Sequence, residues 1–319
     1  MEKTAESEFA AGVPAAEDPV KGSAAEHGPE KSGAAMISII SNTCLTLLKL
    51  VAGLLTGSVA IVSEAVHSGM DLAAAIMAYI SVRVAERPAD AGHPFGHGKA
   101  EHLAALFEGL LIVAAGALII RQAVIGFTSP EFLPALGWGV LVMLASAIVN
   151  ILVSRFLFQV GARTESAALI ADAWHLRTDV YTSMGVFAAL GLIMLGRRLA
   201  PETGLDFLDP LCAGLVALMI LKTGVKLTCE AVSYLLDRSL SREELILIKK
   251  HIEMYAPCIV GYGDIKTRRS GSCRLVFMEL IVDGAMSVEE AHAMGEHVAE
   301  SIRDHFPDSQ ISFHLEPRR

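Results

Sequence analysis

Charge is scarce in this chain. Only 19% of its 319 residues are charged and 53% are hydrophobic, whereas a soluble domain carries about 25% charge. An ordinary soluble protein is therefore a poor fit, and a membrane protein is expected. A basic excess is missing too. The formal net charge is −9, which leaves no electrostatic footprint for a nucleic-acid partner. Cysteine is sparse and badly spaced: Cys44, Cys212, Cys229, Cys258 and Cys273 include no C-x-x-C pair. That excludes a disulfide framework and a thiolate zinc site as readings. No H-E-x-x-H motif is present, so a membrane metalloprotease is not indicated. Residues 1–33 have one aromatic, Phe9, and lack the basic-then-apolar order of a signal peptide. Rich in Ala, Glu, Pro and Gly, they bury too little apolar surface to offset ordering entropy, and a disordered tail with a solvated His27 is expected.

What the chain does have is long apolar runs. About 20 apolar residues cross the hydrocarbon core, and six segments qualify: 34–55, 59–84, 101–127, 135–160, 166–196 and 207–233. "TGS" between the first two makes them a tight hairpin. Arg83, Arg87 and Lys99 stand at the link of segments two and three, Arg83 at the very end of segment two. Arg155 and Arg163 stand toward the link of four and five, Arg155 within the last two turns of segment four. The alternate loops hold fewer basic residues despite Arg197 and Arg198, so both termini are expected on the cytoplasmic side. The expected organisation is a tail (1–33), a six-helix transmembrane bundle (34–238) and a soluble domain (239–319). In that domain "SREELILIKKHIEMYA" reads as an amphipathic helix. Strands follow at about 259–267 and 274–282, and a helix opens with the capping box of Ser287 and Glu290. In "QISFHLEP", Ile311, Phe313 and Leu315 alternate with Ser312, His314 and Glu316, as in a strand with one buried face. The order α-β-β-α-β implies a small two-layer α+β fold.

Two apolar segments carry ionisable residues at helical spacing. "SEAVHSGMD" places His67 and Asp71 four apart, and "DAWHLRTD" does the same with His175 and Asp179. Ionisable residues at this depth face a bundle interior or a water cavity. Two imidazole nitrogens and two carboxylate oxygens make the ligand count of a tetrahedral zinc site. Imidazole moves the balance toward Zn²⁺, without excluding Co²⁺, Cd²⁺ or Fe²⁺. The bland alternative is that each His–Asp pair is a hydrogen bond gluing the bundle. Glu64 and Asp172, three residues before each histidine, are either neighbours of the site or water-lining residues. Metal binding needs neutral histidine and ionised aspartate, so it releases protons. Alternating exposure of the site would move metal one way and protons the other. "RPADAGHPFGHGKAEH" gathers Asp90, His93, His97 and His102 in a Gly-rich loop, either a metal site or solvated polar residues; Lys99 and Glu101 there read as ion-pairing residues. His251, His297 and His305 read as exposed helix surface.

With "SEAVHSGMD", "RPADAGHPFGHGKAEHLAAL", "ADAWHLRTDV" and "LLDRSL" in view, the chain resembles the cation diffusion facilitators, a family of zinc and related divalent-metal transporters. The resemblance runs from about residue 34 to the C-terminus. It implies proton-coupled Zn²⁺ efflux from the cytoplasm by a homodimer in a lipid bilayer, with a ferredoxin-like C-terminal domain. By position, His67, Asp71, His175 and Asp179 would form the transport site, His67 marking the zinc-selective variant. Asp90, His93 and His97 match the family's loop site. In the cytoplasmic domain Glu279, His292, His314 and Glu316 stand at ligand positions; Glu279 replaces a histidine, and Gly263 occupies another such position. The short tail and the lack of a His-rich insert point to a bacterial inner membrane. The reading from a different class is a metal-responsive membrane scaffold whose sites are structural or sensory.

Overall fold

The computed structural model describes residues 24–56, 59–128, 138–199 and 208–318. Six long helices come first: α1 (Ala24–Thr56), α2 (Val59–Ala85), α3 (Lys99–Thr128), α4 (Trp138–Arg163), α5 (Ala167–Leu199) and α6 (Leu208–Leu235). Five contain stretches long and apolar enough to cross a membrane: Gly28–Leu55, His67–Ala85, Lys99–Ile125, Leu144–Arg163 and Leu211–Leu235. The exception among the described residues, α5, holds Asp172, Arg177 and Asp179 within three turns. Large apolar side chains such as Leu54, Leu55, Leu118, Val124, Leu152 and Leu215 stand exposed on these helices. Such extensive apolar surface is suited to lipid.

α1 begins at Ala24, ahead of the start expected at 34, so the end of the segment expected to be disordered is helical. Composition understated it because its order comes from distant partners. Lys31 Nζ donates to Glu101 Oε1 of α3 at 3.1 Å in a buried ion pair, and Glu30 pairs with Arg163 of α4. Residues 1–23, 129–137 and 200–207, and the side chains of His27 and Glu64, lie outside the described residues.

Helix packing rests on small residues, since lipid supplies no hydrophobic drive between helices. α3 and α6 cross so closely that a Cβ on Gly109 would lie 2.7 Å from Thr228 Oγ1 and 2.9 Å from its backbone nitrogen. α4 and α5 are joined by Thr164–Ser166, and Glu165 takes a positive φ of 51°. This tight turn fixes where α5, the helix bearing His175 and Asp179, begins.

The remaining elements are α7 (Arg242–Glu253), β1 (Ile259–Ser270), β2 (Cys273–Val282), α8 (Val288–His305) and β3 (Ser309–Pro317). Capping boxes start both helices, Ser241 with Glu244 and Ser287 with Glu290. β2 is central, antiparallel to β1 and parallel to β3; a parallel pair needs a crossover, which α8 provides. Ile248, Ile252, Val276, Met278, Leu280, Val298 and Ile302 form the core between sheet and helices. β3 alternates as its sequence implies, with Ser312, His314 and Glu316 exposed.

This domain docks on the helical domain through charge. Arg269 and Arg274, paired across the β1–β2 hairpin, both bond Glu165, at 2.8 and 2.6 Å. Both also bond Glu244 of α7, at 2.5 and 2.9 Å. Lys99 at the start of α3 and Arg268 of β1 share Asp237.

Candidate metal centre

On α2 and α5 the spacing of four stacks each His over its Asp on one helix face, and the two helices turn those faces to each other. His67 Nε2 lies 4.0 Å from Asp71 Oδ1 and 4.0 Å from Asp179 Oδ1. The donor atoms of His67, Asp71 and Asp179 all fall within 4.8 Å of one another. His175 Nε2 is 3.1 Å from Asp71 Oδ1 and joins the group through that bond. The set thus presents two imidazoles and two carboxylates from opposite helices. Burial is uneven: the His67 side chain is 50% exposed, against 8% for Asp71 and 12% for His175. Three ligands are held inside the bundle and the fourth forms the accessible rim. A purely intrahelical His–Asp glue is not the geometry seen, since the shortest His–carboxylate contact runs between helices.

The loop between α2 and α3 brings a second set together. Asp90 Oδ1 is 3.4 Å from His93 Nδ1, and its Oδ2 is 3.4 Å from His97 Nε2. The same carboxylate caps the turn, accepting from Gly92 N at 2.8 Å and His93 N at 2.7 Å. The His93 amide, with lesser help from the Gly92 amide and the His97 charge, holds the Asp90 carboxyl below the usual range. An ionised Asp beside two imidazoles is a set that borderline dications accept. His102, from the same stretch, stacks on Tyr234 at 5.0 Å instead and is buried apart from this set.

Residues 35–236 match the cation efflux transmembrane domain, and residues 240–318 match the cation efflux protein cytoplasmic domain. This chain is a cation diffusion facilitator. It is 36% identical over 283 residues to the uncharacterized transporter sll1263 of Synechocystis, spanning 89% of each chain. To the cation-efflux pump FieF of Klebsiella pneumoniae it is 33% identical over 291 residues, 91% of this chain and 94% of that one. The solved structure of the putative zinc transporter CzrB is 30% identical, covering 25% of this chain and 99% of that one at a TM-score of 0.25. The relatives are cation efflux transporters rather than enzymes, and the chain is an integral membrane protein.

The cytoplasmic residues of this facilitator are not gathered as the other two sets are. Glu279 and His314 are register partners on β2 and β3, and Glu316 follows on the same exposed face. Glu279 Oε2 accepts from the Asp264 amide at 3.0 Å, and a Cβ on Gly263 would come within 2.3 Å of it. The glutamate thus fills the space a side chain at 263 would need. His292 packs on Phe313, centroids 5.5 Å apart, and strand parity puts Phe313 on the opposite face from His314. Among the described residues these four do not form a metal-sized cluster.

Two buried ionisable residues escaped the motif reading. Lys49 of α1 is 8% exposed and donates to Ser68 Oγ at 2.8 Å, one residue from His67. Glu108 of α3 is fully buried, with no hydrogen-bond partner for either oxygen among the described residues; the charges of Asp172 and His175 act on it. Asp172 is fully buried too, facing Ser38, and feels the charges of His175 and Asp71. The available signal was a single charge inside an apolar run, "LLKLVAGLL" and "ALFEGLL", which at membrane depth points into the bundle.

Proposed function

We propose that this facilitator is a proton-coupled antiporter that exports Zn²⁺, and related divalent cations, from the cytoplasm through the site of His67, Asp71, His175 and Asp179. The observation that carries the reading is the convergence of the His67, Asp71 and Asp179 donor atoms within 4.8 Å, with His175 bonded to the same Asp71. Two imidazoles and two carboxylates suit Zn²⁺ better than Mg²⁺ or Cu⁺. A metal takes these groups as neutral histidine and ionised aspartate, so loading expels protons and unloading takes them up. The half-exposed His67 favours cargo over a structural ion, because a structural site is closed on all sides. Tilting α2 against α5 would separate the two His–Asp pairs and open the site.

In this reading all six helices cross a bacterial inner membrane, with both termini cytoplasmic, and two copies assemble through a ferredoxin-like cytoplasmic domain. Residues 1–33 are the tail, 34–238 the transport domain and 239–319 the cytoplasmic domain. Asp90, His93 and His97 hold a second metal. A third site draws on Glu279, His292, His314 and Glu316, and because these four do not gather into a metal-sized cluster in one chain, ligands from the partner protomer complete it.

The test is metal uptake into proteoliposomes with an internal pH dye, comparing wild type with Asp179→Ala and His67→Asp. Zinc flux with proton counterflow, lost in Asp179→Ala and broadened toward Cd²⁺ in His67→Asp, is expected. Intact protein that binds zinc yet moves none under any pH gradient would refute the antiporter and leave a scaffold.

A further inference from the structure

The cytoplasmic domain holds a pair of histidines that transport does not use. His251 lies in the last turn of α7 and His305 in the last turn of α8. Packing of the two helices brings their ring centroids to 5.6 Å, tilted by 51°. Two imidazoles sharing one tetrahedral metal, each nitrogen about 2.0–2.1 Å from it, place their centroids roughly 5–6 Å apart. The ring separation is therefore compatible with a shared metal.

Both rings are also held in place. His251 Nδ1 is 2.7 Å from Ser301 Oγ, which orients the ring and leaves Nε2 for a metal. Ligating histidines are typically fixed through their other nitrogen in this way. His305 stands edge-on to Phe306, centroids 4.7 Å apart, and Phe306 is anchored in the domain core. His305 is exposed and His251 half-buried, so solvent ions have access. Burial, with the charges of His305 and Lys250, holds the His251 imidazole below its usual range against the opposing pull of Asp304. A neutral ring is the form a metal takes.

We propose that His251 and His305 form a binding site for a divalent transition metal on the α7–α8 face. The ions are of the class imidazole accepts, Zn²⁺, Cu²⁺ and Ni²⁺, with water completing coordination. The site shares no residue with the Glu279, His292, His314 and Glu316 set and does not require that the protein transport anything.

The test uses full-length protein in detergent, titrated with Cu²⁺ and followed by electron paramagnetic resonance, with Zn²⁺ stoichiometry from equilibrium dialysis. Wild type binds a metal equivalent that His305→Gln and His251→Gln each lose, and the two-nitrogen Cu²⁺ signal of that equivalent disappears with it. Ser301→Ala weakens the same equivalent by about tenfold, while Ser301→Thr, which keeps the hydroxyl, retains it. Equal metal counts and superimposable Cu²⁺ spectra in wild type and both glutamine variants would overturn the proposal. So would full affinity in Ser301→Ala, because the geometry depends on that hydroxyl.

Discussion

Acid should loosen the cytoplasmic domain through one carboxylate, Glu244. Its Oε1 accepts from Arg269 and Arg274, and its Oε2 from the Ser241 amide at 2.9 Å. Burial works to raise this carboxyl, but the Ser241 amide and the two arginines override it and bring it down to about 2 from the ordinary glutamate value of 4.5. A carboxyl depressed by folding contributes stability above its unfolded value, and that contribution is lost as pH falls toward the folded value. The window therefore runs from about pH 4.5 down to about pH 2. At about 1.36 kcal/mol per pH unit the full contribution is about 3 kcal/mol. Solvent around a cluster that is only partly enclosed screens this to roughly 1–2 kcal/mol. The perturbation is Glu244→Gln, which keeps the side chain's shape and removes its titration. Urea unfolding of the cytoplasmic domain, followed by hydrogen exchange in α7 and β1–β2 of the full-length protein, would be compared at about pH 6 and about pH 3. Wild type should exceed the variant at the higher pH by roughly 1–2 kcal/mol, and the gap should narrow on acidification. A gap that stays constant across that range would refute the linkage, since other titrating groups are common to both proteins.

Two further perturbations probe the helical domain. Lys31→Met strips the partner from Glu101, which is 1% exposed, and leaving a buried charge uncompensated costs about 3–5 kcal/mol. The thermal midpoint in detergent should fall, and Glu101→Gln in the same protein should restore most of the loss; an unchanged midpoint in the single variant would show the pair to be idle. Gly109→Val drives a branched side chain into Thr228, including its backbone, with an overpacking cost of about 1–3 kcal/mol or more. A lower midpoint and loss of a single size-exclusion peak are expected, whereas wild-type behaviour would mean that α3 and α6 do not pack this closely.

The six long helices were legible because length and apolarity mark them, and every long apolar run became a helix, five of them apolar enough to cross a membrane among the described residues. Their ends were less legible. The expected start at residue 34 used hydropathy alone, while Lys31 and Glu30 extend α1 by pairing with Glu101 and Arg163, partners far away in sequence. The same applies to the domain junction. "SREEL" announces a capping box, and Glu244 fulfils it, yet the side chain also gathers Arg269 and Arg274 from a hairpin that no local pattern links to it. In the soluble domain, period-two alternation in β3 predicted its exposed face correctly because one face is buried against a continuous core.

The convergence of the candidate metal centre was legible for a related reason: helical spacing converts a sequence interval into a direction, and two identical intervals on apolar helices aim their side chains into the bundle. The spacing did not reveal that Asp71 is shared between His67 and His175, because that depends on how α2 and α5 face each other. Lys49 and Glu108 make the complementary point. Each is a lone ionisable residue without a repeating interval, so only burial in the assembled bundle distinguishes it from a residue reaching for the interface. The cytoplasmic set is the opposite case. Position in the sequence places Glu279, His292, His314 and Glu316 at ligand positions, but among the described residues they do not gather into a metal-sized cluster, and His292 packs on Phe313, the neighbour of His314 in β3. His251 and His305 show what position omits altogether: each looks like solvated surface on its own helix, and only the packing of α7 against α8 brings their rings to 5.6 Å. Candidate ligand clusters marked by a helix interval are thus visible in this sequence, whereas those built between elements without one emerge only from the fold.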